Sequence, residues 1–315
     1  MAQLNSPSIT GSLTLGNSPF TGSVGAIWYD TTTNNIKYSF DFQGTGTWSS
    51  GGPLIAGRYY PAGTGTQNAG LAFGGITTSN FSQSPATEEY NGASWSTGGA
   101  LSVSRFGLAG AGTQNEALAF GGTPTLTTEE YNGTSWSTGG ALITSRFYVA
   151  GAGTQNAGLA FGGYQPNRSC TEEYNGTSWS VGGALATARN RLAGAGTQNA
   201  GLAFGGVLPS VVSCTEEYDG SSWTTGGALS TARYGLGGAG TQNAGLAFGG
   251  PSVGSCTEEY NGTLWSTSGA LITARFLLAG AGTQNLGLAI GGNDSSSPCT
   301  EEYSQPAAFR SIGTL

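Results

Sequence analysis

Apolar and polar positions along this chain fall into short, strand-sized runs divided by turn residues, and the runs recur in fixed order. The third copy shows the order well. Small residues alternate at Ala150, Gly151, Ala152 and Gly153, which suits an innermost strand with crowded neighbours. Thr154-Gln155-Asn156 follows as a polar turn, Asn being tolerant of positive φ. The apolar run Gly158-Leu159-Ala160-Phe161 stops at Gly162-Gly163, where two missing Cβ atoms permit a tight exit. Thr171-Glu172-Glu173-Tyr174 then leads to Asn175-Gly176, a strong hairpin signal, and a last strand carries Trp179 to Gly182-Gly183. These four candidate strands, a to d, make one unit, and an Arg opens the next.

Thr-Gln-Asn occurs six times, at Thr66, Thr113, Thr154, Thr197, Thr241 and Thr283. Self-similarity at a period near 40 residues denotes stacked supersecondary units. Strands this short do not form a stable sheet alone, and a radial array of four-stranded sheets is the usual solution. The two ends agree with a closed ring. The last unit has strands a, b and c (275–303) but no Trp after Tyr303, whereas an unassigned Gly46-Thr47-Trp48-Ser49 precedes the first Arg, Arg58. The expectation is an all-β, six-bladed propeller in which the strand bearing Trp48 completes the C-terminal blade. Its domains are an arm and β-hairpin for attachment and assembly (1–45), the propeller (46–304) and a C-terminal tail (305–315).

A Gly-Gly pair after an apolar strand, then Tyr, then Trp about five residues on, with an Arg opening the next unit, resembles the kelch repeat of β-propellers. The likeness covers most of the chain. The WD-type repeat fits less well, since both its Gly-His and its Trp-Asp are missing, and Tyr90, Tyr131 and Tyr174 stand where a sialidase Asp-box would have Asp. The recurring Trp48, Trp95, Trp136, Trp179, Trp223 and Trp265 are expected to pack between blades, with carbohydrate stacking as the alternative. Side chains alternate across strand c, so one Glu per unit is expected to meet one of Arg58, Arg105, Arg146, Arg189, Arg233 and Arg275. A carboxylate ring holding Ca²⁺ is the alternative there.

Composition narrows the function. The 57 glycines fall at fixed repeat positions, and twelve of the 17 acidic residues are the Glu-Glu pairs. With 10 Lys and Arg and a net charge of -7, the chain has no basic stripe for nucleic acid. His is absent, which removes the commonest general base and metal ligand; no enzyme and no cofactor are expected. Cys170, Cys214, Cys256 and Cys299 share one repeat position, just before TEEY, with Ala86 and Thr127 in the first two copies. Equivalent positions in neighbouring blades lie too far apart for a disulfide, so a buried small residue is expected there. The start has no Sec-type leader, and no run approaches a membrane span.

The copies differ most between strands b and c: ITTSNFSQSPA, TPTLT, YQPNRSC, VLPSVVSC, PSVGSC and NDSSSPC. These segments share a face with the two residues after each Arg, such as Phe147-Tyr148 and Asn190-Arg191. A rigid scaffold with diversified loops on one face is how binding surfaces are usually built; drift in unconstrained loops is the alternative. Phe81, Tyr164, Gln165, Asn167, Arg168, Leu208 and Val211 are the binding candidates.

Residues 1–24 read as a Gly, Ser, Thr and Pro rich arm, and GAIWYDTTTNNIKY (25–38) reads as a hairpin. That hairpin resembles the WYDTT segment common in bacteriophage tail and fibre proteins. The near-identical GTQNAGLAFGG and TEEYNG repeats resemble kelch-like virion proteins of aquatic tailed phages, including cyanophages. The resemblance implies a structural protein of the virion, assembled in the host cytoplasm. As a tail fibre or appendage it would be joined through its N-terminal arm to other virion proteins, in several copies per particle, and would bind a host-surface glycan or protein without membrane insertion. A capsid or tail decoration protein, and an extracellular lectin or adhesin, are the alternatives.

Overall fold

The computed structural model describes residues 27–30, 35–42, 44–123, 125–165, 168–251, 254–292, 298–306 and 309–314. The chain divides into two compact units, residues 45–305 and the two termini. The larger unit is the expected six-bladed β-propeller, each blade an antiparallel sheet in the order a-b-c-d. Blade 3 is typical: Ala150–Thr154, Ala157–Phe161, Thr171–Tyr174 and Trp179–Gly182. Blade 6 combines Ala279–Gly282, Leu286–Ile290 and Thr300–Ser304 with Thr47–Ser50, and Trp48 lies opposite Tyr303. The ring therefore closes through the N-terminal strand.

Why strand a is built of Gly and Ala follows from crowding at the axis. A Cβ on Gly151 would come within 2.5 Å of Phe120 Cζ and 3.1 Å of the Gly110 carbonyl oxygen, both in blade 2. The apolar core lies between blades rather than within them. Between blades 2 and 3, Leu118 and Phe120 of one meet Ala160, Tyr174 and Trp179 of the other, all buried. The Trp179 ring packs edge-on against Phe120 at 5.0 Å and beside its own Tyr174 at 5.0 Å. Its Nε1–H donates to Thr128 Oγ1 of blade 2. All six propeller Trp make this bond to the preceding blade, at 2.8 to 2.9 Å. Five are buried and Trp136 half-buried, so they are core and not a stacking surface for sugar.

The first Glu of each TEEY pairs with the Arg that opens the same unit, as Glu172 does with Arg146 at 3.1 Å. Five further pairs repeat this, with every Arg side chain at 0% exposure. Arg146 also donates to the carbonyls of Ala160, Gly162 and Cys170, while Glu172 accepts from the backbone N–H groups of Ile143 and Thr144. Removing one partner of such a pair strands a buried charge at a cost of about 3–5 kcal/mol. Burial lowers the pKa of Arg105 to about 10, with Glu129 pulling the other way; the guanidinium stays charged at neutral pH. The second Glu serves the next blade: Glu130 accepts from Tyr174 Oη at 2.6 Å, and Tyr90 closes the circle on Glu302 at 2.5 Å. With these carboxylates so engaged, no group of three or more His, Cys, Asp or Glu able to hold a metal forms among the described residues.

The four cysteines form no disulfide among the described residues, and they are half-buried rather than buried as expected. The Cys170 thiol lies 3.1 Å from Arg146 Nη1, so the position is the edge of the guanidinium pocket and not part of the apolar core.

In the smaller unit Ile27–Asp30 pairs with Asn35–Phe42, which is the expected hairpin. Phe309–Thr314 adds a third antiparallel strand to it. The C-terminal segment read from sequence as a tail is thus a sheet strand; with Gln305 already assigned to the propeller, this unit joins both ends of the chain. The expected arm, residues 1–24, lies outside the described residues.

Candidate functional site

The variable face is organised around the propeller axis by the second residue after each buried Arg. That residue is Tyr60, Gly107, Tyr148, Arg191, Gly235 and Leu277 in blades 1 to 6, and all six have φ between 52° and 63°. Their backbones form a closed hydrogen-bonded circle. Tyr148 N–H donates to Gly107 O, Arg191 N–H to Tyr148 O, Gly235 N–H to Arg191 O, and so on round to Gly107 N–H on Tyr60 O, at 2.6 to 3.3 Å. The left-handed backbone that this circle needs suits glycine. A non-Gly residue there costs about 1–2 kcal/mol, yet four blades carry large side chains.

Those side chains crowd the axial mouth. The Tyr60 and Tyr148 rings lie 4.7 Å apart, and the Arg191 guanidinium sits 4.2 Å from the Tyr148 ring centroid, with Tyr60 and Tyr234 at 6.0 and 5.8 Å. A small axial cavity of about 80 Å³ lies among the six circle residues and their neighbours. Beside it, between blades 3 and 4, opens a bowl of about 450 Å³ lined by Phe147, Tyr148, Tyr164, Asn190, Arg191 and Val207. That volume is within the range of small-ligand sites, which combine apolar walls with a few placed polar groups.

Strand pairing fixes the bowl's walls. Phe147 and Tyr164 exchange backbone hydrogen bonds, and so do Asn190 and Val207, so in blades 3 and 4 the first residue after the Arg is locked to the residue after Gly-Gly. Phe147 and Tyr164 meet edge to face at 5.4 Å. The second glycine of each Gly-Gly makes this possible: Gly163, at φ +110, donates its N–H to the Arg189 carbonyl of blade 4. Burial opposes the Arg191 charge, but the phenol oxygens of Tyr148 and Tyr60 outweigh it and raise the pKa above the usual arginine value. Burial, followed by the Tyr148 hydroxyl, raises the Tyr60 pKa as well.

Of the residues singled out by loop variability, Tyr164 lines this bowl. Gln165 and Arg168 continue the same loop, where Arg168 Nη2 donates to the Gln165 carbonyl at 2.5 Å; Asn167 lies outside the described residues. Leu208 and Val211 belong to a small hairpin in blade 4, Val207–Leu208 against Ser210–Val211. Phe81, 75% exposed, caps the long loop of blade 1 at φ +54. Loop variability did not single out Phe147, Tyr148, Asn190, Arg191 and Val207 as site residues. Their signal was present in the contrast RFY, RNR, RYG and RFL after the buried Arg, where identical strands diverge at one register.

Fold and mouth together define a six-bladed β-propeller whose blades share one scaffold and differ on one face. No family model matches the chain. No curated protein matches it in sequence. Among solved structures, one titled "Structure of YjhT" aligns with a TM-score of 0.66 over 84% of this chain and 100% of that one, at 12% identity. A likeness at that identity shows the propeller fold alone.

Proposed function

We propose that this chain is the kelch-like propeller of a tailed-phage particle, a non-enzymatic fibre or appendage protein whose variable face binds a glycan on the host surface. The single observation that carries this reading is the 450 Å³ bowl of Phe147, Tyr148, Tyr164, Asn190, Arg191 and Val207, which lies on the face where near-identical blades diverge. Aromatic faces bordered by a few hydrogen-bonding groups suit the mixed apolar and hydroxylated surface of a sugar. The sheet that joins the two termini is the attachment element for other virion proteins. Several copies per particle would raise weak single contacts by an avidity factor of about 10² to 10⁴.

Two measurements test this. Gold-labelled antibody against the chain should decorate the fibres or tail of the particle. Fluorescently labelled wild-type protein should bind cells of the bacterium that particle infects, and the Tyr164→Ala and Phe147→Ala variants should bind at least about tenfold less, the scale of a lost aromatic anchor. Equal binding by wild type and both variants would remove the bowl from the receptor site.

A further inference from the structure

Among the described residues, charge is distributed unevenly between the two faces of the propeller. Six of the eight arginines described with side chains are locked in the buried Glu pairs, which leaves Arg168 and Arg191. Both lie on the variable face, in or beside the bowl. Among the described residues, the acidic residues of the propeller outside the Glu-Glu pairs are Glu116, in the a-to-b turn of blade 2, and Asp219, in the c-to-d turn of blade 4; Asp294, in the b-to-c segment of blade 6, lies outside the described residues. Strand order puts those turns on the opposite face. The first Glu of each pair is spent on its buried Arg and the second on a Tyr of the next blade. In a chain of net charge -7, the one charged side chain in the bowl's lining is thus the Arg191 guanidinium.

Arg191 itself is held for use. Its guanidinium is stacked on Tyr148 and flanked by Tyr60 and Tyr234, and it takes part in none of the ion pairs among the described residues. It also occupies a backbone position, φ +52, that blades 2 and 5 fill with Gly107 and Gly235. The chain's own repeats show that glycine serves the circle there, without the strain of a long side chain. Strained backbone retained against an available glycine points to a role outside folding.

We infer that the ligand of this bowl is an anionic saccharide, whose carboxylate or sulfate pairs with Arg191 while its ring lies against the Phe147 and Tyr164 walls. This rests on the glycan-binding reading and narrows it to acidic sugars. An arginine fork suits either anion, since both offer two oxygens to parallel N–H donors.

The test is a saccharide array carrying neutral, uronate-bearing and sulfated oligosaccharides, probed with the full chain as wild type, Arg191→Lys and Arg191→Gly. Expected is binding confined to acidic saccharides, weakened about ten- to a hundredfold in Arg191→Gly and less in Arg191→Lys. Uronate and sulfate spots separate the two anions. The Arg191→Gly variant should have a melting temperature equal to or above wild type, so its loss of binding will not be a loss of fold. Binding of neutral saccharides only, or of acidic ones unaltered by Arg191→Gly, overturns the inference and leaves the glycan reading standing. Binding of no saccharide by the wild type overturns both.

Discussion

In TEEY every side chain has a separate partner, and the partners lie in three different blades. Thr171 accepts from Trp223 of the next blade at 2.9 Å, Glu172 holds Arg146 of its own, Glu173 accepts from Tyr218 of the next at 2.5 Å, and Tyr174 donates to Glu130 of the one before. Four residues in alternation can do this because strand c presents two faces, each looking at a different neighbour or at the unit's own Arg pocket. The tyrosines make the arrangement sensitive to alkali. Burial first, and then the neighbouring carboxylate, pushes Tyr90, Tyr131, Tyr174, Tyr218 and Tyr260 from 10.0 up to about 12. Below about pH 10 these phenols are protonated in folded and unfolded chains alike, and their contribution is fully present. Between pH 10 and 12 the unfolded chain releases protons that the folded one keeps, so stability falls as pH rises. The urea midpoint is therefore expected to be flat from pH 7 to 9 and to drop steeply above 10. Each Tyr→Phe replacement should reduce that slope by about one proton; a midpoint unchanged between pH 9 and 11 would contradict the shared Tyr–Glu bonds.

Strand and turn placement was legible in the sequence because it rests on local chemistry: Asn-Gly at the c-to-d turn, Gly-Gly after strand b, and Gly-Ala alternation where strand a meets the axis. What each repeated residue contacts was legible only in part, since those partners are about 24 to 50 residues away in sequence. Thr-Gln-Asn illustrates the gap. Its Asn fits a turn, as expected, but its Gln serves the preceding blade. Gln155 Nε2 donates to Ala117 O at 3.1 Å and Tyr131 O at 2.6 Å, capping strands b and c of blade 2. The other five Gln do the same, including Gln67 on Gly287 and Tyr303. The bowl was hidden for a related reason: loop length pointed to the b-to-c segments, whereas most of its wall comes from the two residues after the Arg, which strand pairing brings against those segments. Replacing Gln155 by Leu keeps the volume but deprives two carbonyls at the blade edge of their donor. A loss of about 1–3 kcal/mol is expected, read as a lower urea midpoint with unchanged m-value, whereas a Gln155→Leu variant as stable as wild type would show that water replaces the amide without cost.

Every blade interface in the ring repeats the Trp–Thr, Tyr–Glu and Gln–carbonyl bonds, so each blade is held by two neighbours and none is an end. The interface between blades 5 and 6 obeys the same rules with a strand from the far end of the chain: Trp48 Nε1 donates to Thr257 Oγ1 at 2.9 Å and its ring packs on Phe248 at 5.0 Å. Without residues 1–52, blade 6 keeps strands a to c but loses that Trp, and the edge of Thr300–Ser304 is left unpaired. Burial of a Trp alone is worth about 3–5 kcal/mol, a large part of the ordinary margin of about 5–15 kcal/mol. The deletion variant is expected to lack a cooperative thermal transition. Loss of folding on truncation could equally arise from the missing terminal sheet, and a permuted chain separates the two. Starting at Gly51, running to Tyr303 and returning through Asn-Gly-Thr-Ser to Trp48, Ser49 and Ser50, it places strand d directly after strand c, as in blades 1 to 5, and omits the terminal sheet. If ring closure is what the N-terminal strand contributes, this permutant melts as one cooperative unit while the deletion variant does not; two failures would instead place the requirement in the terminal sheet.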